Sequence, residues 1–346
     1  MLLVVDMRIF YITDPDMSTS PTPHPASQKQ PIEVLFNAMF HNKWRFADFA
    51  GASVEASISS KTFTQSGKTR DLLVPNERLK GCHEFLRLFL LDFLPLNKDV
   101  VFSYRKGVSS YDAVSRHAKS KAFFVCDIAN FFPSIRQSRI RSTLLTAKDL
   151  CPIEDVESWL DRIVDLVCVS DSLPIGFSTS PAISNAALLP FDNTLQADCD
   201  NRGLVLTRYS DDIIVSGQDF AALEGIQDRM VEILQETMQG ELSLHPKKSK
   251  FLHSGVKIKL LGMVLLPNGT VSVDASFKDE IEVLIYFYLR DRSKFADRVE
   301  GDPQKAEARL SGLLNYVNTV DRAYLDKLRK KFGVAVVDYF LHRSFS

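Results

Sequence analysis

The run Leu204-Val-Leu-Thr-Arg-Tyr-Ser-Asp-Asp-Ile-Ile-Val-Ser216 decides how this chain is read. Two short β-rich segments, Leu204 to Tyr209 and Ile213 to Ser216, flank Ser210-Asp211-Asp212, which is the signature of a β-hairpin with carboxylates at its tip. Upstream, Ala122 to Ile128 is a nearly continuous apolar run with one carboxylate, Asp127, near its end, and reads as a buried strand. If the two strand ends converge, three carboxylates share one pocket, where mutual repulsion raises their pKa values unless cations lie between them. Two Mg²⁺ ions about 3.5 to 4 Å apart are the recurring answer in in-line phosphoryl transfer. Taken singly, each Asp reads first as a turn residue or a helix cap.

Around these strands the remaining chain divides by pattern. Thr13 to Pro31 is crowded with Ser, Thr and Pro and reads as a linker or flexible arm. Lys43 to Ser60 is helix-compatible but weakly patterned. Lys61 to Pro75 carries Lys61, Lys68 and Arg70, a turn at Gly67 and a short strand at Leu72 to Val74. Glu77 to Leu94 repeats apolar residues at helical spacing, and Asn97 to Lys121 reads as mostly loop and strongly basic. Gln137 to Val169 is helical. Gly176 to Leu195 opens as a turn and continues as a helix, for which Pro181 suits the first position. Leu260 to Leu266 and Thr270 to Val273, separated by Pro267-Asn268-Gly269, form a second hairpin. Asp279 to Arg292, Gln304 to Val317 and Ala323 to Phe332 are helices, and no internal repeat is evident.

The 346 residues allow two or three packed units, and 45% hydrophobic with 25% charged residues excludes long disorder, collagen-like repeats and fibrous coiled coil. Forty-two Lys and Arg nearly cancel 43 Asp and Glu, so a nucleic-acid surface has to come from local clustering. Such clusters exist. Ser243 to Leu260 holds five Lys (247, 248, 250, 257 and 259), two His and no acid. Arg105, Lys106, Arg116, Lys119 and Lys121 form a second cluster, and Arg329, Lys330 and Lys331 a third. Together they fit tracking of a phosphate backbone, whereas any one alone is an ordinary solvated face. The five cysteines fall in no zinc or disulfide pattern and read as buried side chains in a reducing cytosol. No apolar run reaches the ~18 residues of a membrane span, so a cytoplasmic location without membrane attachment is expected.

Five segments in order resemble the palm of a reverse transcriptase. Phe124-Val-Cys-Asp127-Ile-Ala-Asn-Phe-Phe-Pro-Ser-Ile135 is similar to the first catalytic strand, and Gly176-Phe-Ser-Thr-Ser-Pro181-Ala-Ile-Ser-Asn185 to the template- and nucleotide-contacting turn and helix. Arg208-Tyr209-Ser210-Asp211-Asp212 resembles the catalytic hairpin, with Ser where many members have Ala. Leu244-His245-Pro-Lys247-Lys248-Ser249 resembles the next motif, with His245 and Ser249 where Asn and Thr are usual. Leu260-Leu261-Gly262 resembles the primer-grip hairpin.

The resemblance implies an α+β right-hand polymerase. Its parts would be an N-terminal arm (1–30), fingers (31–120, with inserted helices at 136–172), a palm with an antiparallel sheet (121–135 and 173–272) and a helical thumb (273–346). It implies Asp127, Asp211, Asp212 and Lys248 as catalytic residues, with Asp127, Ile128, Asp211 and Asp212 holding two Mg²⁺ ions, for which Mn²⁺ can stand in. Lys68, Arg70, Phe132, Ser180 and Pro181 would meet the incoming nucleotide, with Phe132 as the ring that excludes a 2′-hydroxyl. Arg105, Lys106, Lys247, Lys250, Leu261, Gly262, Arg329 and Lys330 would meet nucleic acid.

Length and thumb resemble retron and other defence-associated bacterial enzymes. Asp112-Ala-Val-Ser-Arg-His117 stands where retron enzymes have Asn-Ala-x-x-His, and Leu260-Leu261-Gly262 where they have Val-Thr-Gly, so the wider retron-like group is the favoured reading over a true retron. The implied partners are a structured non-coding RNA template, its DNA product and dNTPs. An effector protein and a homo-oligomer are left open, and the implied setting is defence against phage, by analogy alone. Two alternatives stay open: an RNA-dependent RNA polymerase on the same palm, and a catalytically idle RNA-binding scaffold.

Overall fold

Side chains alternate faces along a strand, and a strand covered on both sides is apolar at nearly every position. A computed structural model of the protein describes residues 4–5, 8–9, 29–41, 43–65 and 68–342, with side chains described except at 4–5, 8–9 and 63–70. Its strands are β1 (Val4–Val5), β2 (Arg8–Ile9), β3 (Ile58–Gln65), β4 (Lys68–Pro75), β5 (Ala122–Asp127), β6 (Val205–Tyr209), β7 (Asp212–Gly217), β8 (Lys250–His253), β9 (Ile258–Leu260), β10 (Met263–Leu265) and β11 (Val271–Val273). The chain forms two compact units. One comprises Asp14–Gly107 with Phe124–Phe251, and the other Met1–Thr13, Val108–Phe123 and Leu252–Ser346.

The first unit is organised on the sheet β6-β7-β5-β8. Five of the six residues of β5 are buried, as its apolar run requires. β6 and β7 pair antiparallel with Tyr209 opposite Asp212, so the turn is the two residues Ser210 and Asp211, and Asp212 already belongs to the strand. Helix Ile226–Met238 buries Ile226, Met230, Ile233 and Leu234, a spacing of three and four that makes one apolar stripe. Away from the sheet, helix Glu77–Phe89 is capped by Asn76, whose side chain accepts from the Leu79 N–H. It presents Phe85 to Phe36 and Phe49, at ring separations of 5.2 and 5.7 Å.

Several elements differ from the sequence expectation. Lys61 to Pro75 is most of a long hairpin, β3 paired with β4 along eight residues each, where only Leu72 to Val74 was expected; polar Ser, Thr and Lys residues interrupt β3 and leave no apolar run to read. Lys43 to Ser60 contains the helix Phe46–Gly51. Gln137 to Val169 is two helices, Gln137–Leu145 and Leu160–Val167, parted by turns around Pro152. Gly176 to Leu195 also holds two, Ser180–Ala187 and Leu189–Asn201, each with Pro in its first turn.

In the second unit, β9, β10 and β11 form an antiparallel sheet. The run Leu260 to Leu266, expected as one strand, is broken at Leu261 and Gly262. Both have positive φ, 50° and 81°, and make a two-residue turn with Leu260 opposite Met263. Helix Ser110–Arg116 packs on β10 and β11, in a stretch expected to be mostly loop. A reciprocal box between Ser109 and Asp112 starts it. Helices Ala275–Arg290, Arg292–Asp297, Pro303–Val320 and Arg322–Phe332 are each capped by an Asp side chain, at 274, 291, 302 and 321. Helix Val334–Leu341 completes the set.

All five cysteines are buried and unpaired. Burial pushes the thiols up, to about 11 at Cys82 and about 12 at Cys168 and Cys199. Among the described residues no helix is long and apolar enough to cross a membrane.

Candidate active site

The end of β5 and the tip of the β6–β7 hairpin meet through the backbone. The Ile128 N–H donates to the Asp211 carbonyl at 3.0 Å, so Asp127 and Asp211 lie on adjacent chains next to a shared hydrogen bond. Asp127 is buried, and Asp211 and Asp212 are half-buried. The Asp211 carboxyl is pushed up to about 6, first by burial and then by the negative charges of Asp212 and Asp127, while a backbone hydrogen bond and Lys248 pull it back. Ser210 enters this turn with φ of +59°, a left-handed conformation that a non-glycine residue keeps only when its surroundings hold it.

Lys248 reaches the same place by a different route. The segment after helix Ile226–Met238 runs beside the end of β5: the Ala129 N–H donates to the Ser243 carbonyl at 2.9 Å and the His245 N–H to the Asp127 carbonyl at 2.7 Å. A tight turn follows, in which Lys248 N–H donates to the His245 carbonyl at 3.2 Å. Lys248 Nζ then lies 2.6 Å from Asp127 Oδ2, an ion pair between residues 121 positions apart. His245 stands where an Asn is usual, and its Nδ1 accepts from the Lys247 N–H at 3.2 Å. An Asn side-chain oxygen makes the same two-residue-on bond, so the turn is kept with a different acceptor.

The other expected site residues are distributed as follows. Phe132 is half-buried, its ring 5.2 Å from that of Phe131, in the short helix Phe131–Ser134 just past Asp127. Ser180 is buried and its hydroxyl donates to the Pro174 carbonyl at 2.8 Å, with Pro181 beside it at the helix start. Gly176 precedes them with φ of +112°; a Cβ there would sit 2.3 Å from the Leu73 carbonyl, and the Leu73 N–H donates to the Ile175 carbonyl at 2.9 Å. This loop therefore ties β4, the strand that begins with Lys68 and Arg70, to the turn before Ser180. The side chains of Lys68 and Arg70 lie outside the described residues.

Among the residues expected to meet nucleic acid, Lys106, Lys247 and Lys250 are exposed, whereas the Arg105 guanidinium bonds the carbonyls of Lys98 and Val101. In the second unit, Leu261 and Gly262 form the β9–β10 turn, Lys330 is exposed, and Arg329 is paired with Asp326 and Asp338. Sequence reasoning missed the polar groups behind the hairpin: Arg208 and Asp192, both fully buried and paired, and Ser103 and Tyr104, which touch Ser210. Asp192 and Ser103 lie in segments read only as helix and loop, with no signal of a charge partner.

Among the described residues no three His, Cys, Asp or Glu side chains gather tightly enough to cage a metal ion. The donor set nevertheless fits Mg²⁺, which holds several waters and substrate phosphates and takes only one or two carboxylates from a protein. The Asp211 carboxyl is raised first by burial and then by the charges of Asp212 and Asp127, and the oxygen-only donors Asp127, Asp211 and Asp212 suit a hard cation.

The chain has similarities of sequence and fold to known proteins. The family described as "Reverse transcriptase (RNA-dependent DNA polymerase)" matches residues 59–265. The chain is 25% identical over 279 residues to the retron Ec73 reverse transcriptase of Escherichia coli, covering 78% of this chain and 84% of that one. It is 25% identical to the retron Mx65 reverse transcriptase of Myxococcus xanthus, covering 77% of this chain and 62% of the relative. Among solved structures, apo telomerase from Candida tropicalis matches 82% of this chain and 61% of its own at 13% identity, with a TM-score of 0.47.

Proposed function

The chain belongs to the reverse transcriptase (RNA-dependent DNA polymerase) family, and from that premise we propose that it copies a structured non-coding RNA into DNA by two-metal nucleotidyl transfer at Asp127 and Asp211. Family membership makes it a nucleotidyltransferase of the RNA-directed DNA polymerase class with a right-hand polymerase fold. The observation that carries the finer reading is the hydrogen bond from Ile128 to Asp211, which brings two carboxylate-bearing residues from distant parts of the chain to one end of the central strands.

In this reading Asp127 and Asp211 would hold two Mg²⁺ ions, with Asp212 and the Ile128 backbone as further oxygen donors. Bound there, Mg²⁺ would supply activation of the attacking 3′-hydroxyl and stabilisation of the leaving oxygen. The protein's own groups do the rest. Lys248, next to Asp127, neutralises charge developing on pyrophosphate or hands it a proton. Phe132 packs under the sugar and excludes a 2′-hydroxyl. Lys68 and Arg70 grip the triphosphate as fixed cations, and Ser180 and Pro181 shape the turn beneath the base. The exposed Lys106, Lys247, Lys250 and Lys330 track phosphates, and the β9–β10 turn at Leu261-Gly262 bears on the primer strand. The fingers, palm and thumb then follow the boundaries 31–120 with 136–172, 121–135 with 173–272, and 273–346. We place this activity in the cytoplasm, with one dedicated RNA and a role against phage, by analogy with retron-type enzymes alone.

The test is primer extension on an RNA template. We expect dNTP incorporation that requires Mg²⁺ and falls at least about 10³-fold in Asp127→Asn and Asp211→Asn, with sequencing of copurifying RNA and DNA identifying template and product. Preferential incorporation of rNTPs, or activity surviving Asp211→Asn, would overturn the reading.

A further inference from the structure

Behind the β6–β7 hairpin lies a polar cluster sealed from solvent. Arg208, at 0% exposure, donates from Nε to Asp192 Oδ1 at 2.7 Å and from Nη2 to Asp192 Oδ2 at 2.6 Å, a two-pronged pair. Its remaining nitrogen, Nη1, donates to the Asn185 side-chain oxygen at 3.1 Å and to the Ser210 carbonyl at 3.0 Å. Asn185 in turn donates to the Ser103 carbonyl at 2.9 Å. The Ser103 hydroxyl oxygen accepts from the Ser210 N–H at 2.8 Å, and the Tyr104 hydroxyl lies 3.1 Å from Ser210 Oγ. Ser210 is thus gripped at its N–H, its carbonyl and its side chain, in the left-handed conformation that turns the chain into Asp211.

A buried charged pair is not the cheapest way to fill a core, since apolar residues of similar volume are often equally stable there. What the guanidinium supplies here and an apolar residue cannot is direction: two prongs fix its plane on Asp192, and the third position then delivers one N–H to one carbonyl of the turn. We infer that the Arg208–Asp192 pair is a positioning device for the catalytic hairpin, holding Ser210 so that Asp211 stays beside the end of the strand that carries Asp127. The inference rests on the polymerase reading above. Arg208 touches neither substrate nor carboxylate of the site; it acts through Ser210.

The pair should govern turnover and metal demand, not nucleotide affinity. Arg208→Lys keeps the charge and loses the fork. We expect kcat for dNTP incorporation to fall about 10- to 100-fold, the Mg²⁺ concentration for half-maximal rate to rise several-fold, and the dNTP KM to stay within about twofold. Because Arg208→Met leaves Asp192 buried without a partner and is prone to unfold, the informative variant is the double replacement Arg208→Met with Asp192→Leu, which removes both charges. We expect it to fold, by circular dichroism and thermal melting, with kcat still reduced and the Mg²⁺ requirement still raised.

Mn²⁺ binding followed by electron paramagnetic resonance reads the carboxylate geometry without turnover. The same variants should bind Mn²⁺ several-fold more weakly than the wild type. A folded double variant with wild-type kcat and wild-type Mn²⁺ affinity would overturn the inference and reduce the pair to core filling. A wild type that binds Mn²⁺ more tightly than the variants yet incorporates no nucleotide would instead remove the polymerase reading and leave the positioning role standing.

Discussion

Asp211 is held ionised near neutral pH against burial and two neighbouring carboxylates, and that burden has a measurable sign. Its folded pKa is about 6 against 3.8 unperturbed, so the folded state is destabilised wherever the group is charged, fully above pH 6 and not at all below 3.8. In metal-free solution Asp211→Asn should therefore raise stability at pH 7.5 by about 1–3 kcal/mol. That gain should fade as the pH falls from 6 towards 3.8, as urea melts at several pH values would read. Stability gained while activity is lost is the expected trade at a site built for cations. Lys248→Leu should cost about 10²-fold in kcat, and Lys248→Arg, which retains the charge beside Asp127, should recover most of it in steady-state kinetics. The meeting of Asp127 and Asp211 was legible because Asp127 ends an apolar strand and Asp211 lies in the turn between two β-rich runs. The Lys248–Asp127 and Arg208–Asp192 pairings were not, because nothing in a local pattern says which distant charge a side chain will meet.

The strand–loop contact at Gly176 is the element on which the placement of β4 turns. A side chain there faces both a φ of +112° and the Leu73 carbonyl, so the backbone around the Leu73–Ile175 hydrogen bond has to shift to admit one. Gly176→Ala is expected to lower stability by about 2–3 kcal/mol. If β4 carries the triphosphate-gripping Lys68 and Arg70, it should also raise the dNTP KM more than it lowers kcat. Thermal melts and a KM-against-kcat split check both. At this scale the sequence was readable wherever burial imposes a period, as in β5, the helix Glu77–Phe89 and the helices of the second unit. It misled where polarity or one backbone angle decides. The outer halves of β3 and β4 are polar, and the apolar run at Leu260 to Leu266 conceals a left-handed turn at Leu261 that side-chain character does not announce. The helix Ser110–Arg116 did leave a signal, the Ser109-x-x-Asp112 capping pattern, outweighed by the basic residues around it.

Across the whole molecule, each unit buries a neutral histidine. Burial lowers His83 to about 4 and His117 to about 3, from an unperturbed 6.5. His83 Nε2 donates to the Leu166 carbonyl at 2.8 Å, a bond that pulls the pKa back up but is outweighed by burial. Both groups take up protons on unfolding, so their contribution is present above pH 6.5 and is lost as the pH falls towards 3 or 4. At pH 5 each should cost on the order of 2 kcal/mol, more together than the relief Asp211 gains over the same range. Denaturant midpoints at pH 7.5 and pH 5 should show the net loss.

The buried thiols give that experiment a readout. All five cysteines sit in the unit that carries the candidate site, none is accessible, and burial disfavours the reactive thiolate at each. The native chain should stay silent to a brief pulse of iodoacetamide and become alkylated only when that unit opens. Mass spectrometry of the peptide bearing Cys126, the residue before Asp127, would then clock the breathing of the carboxylate strand itself, with no label to engineer.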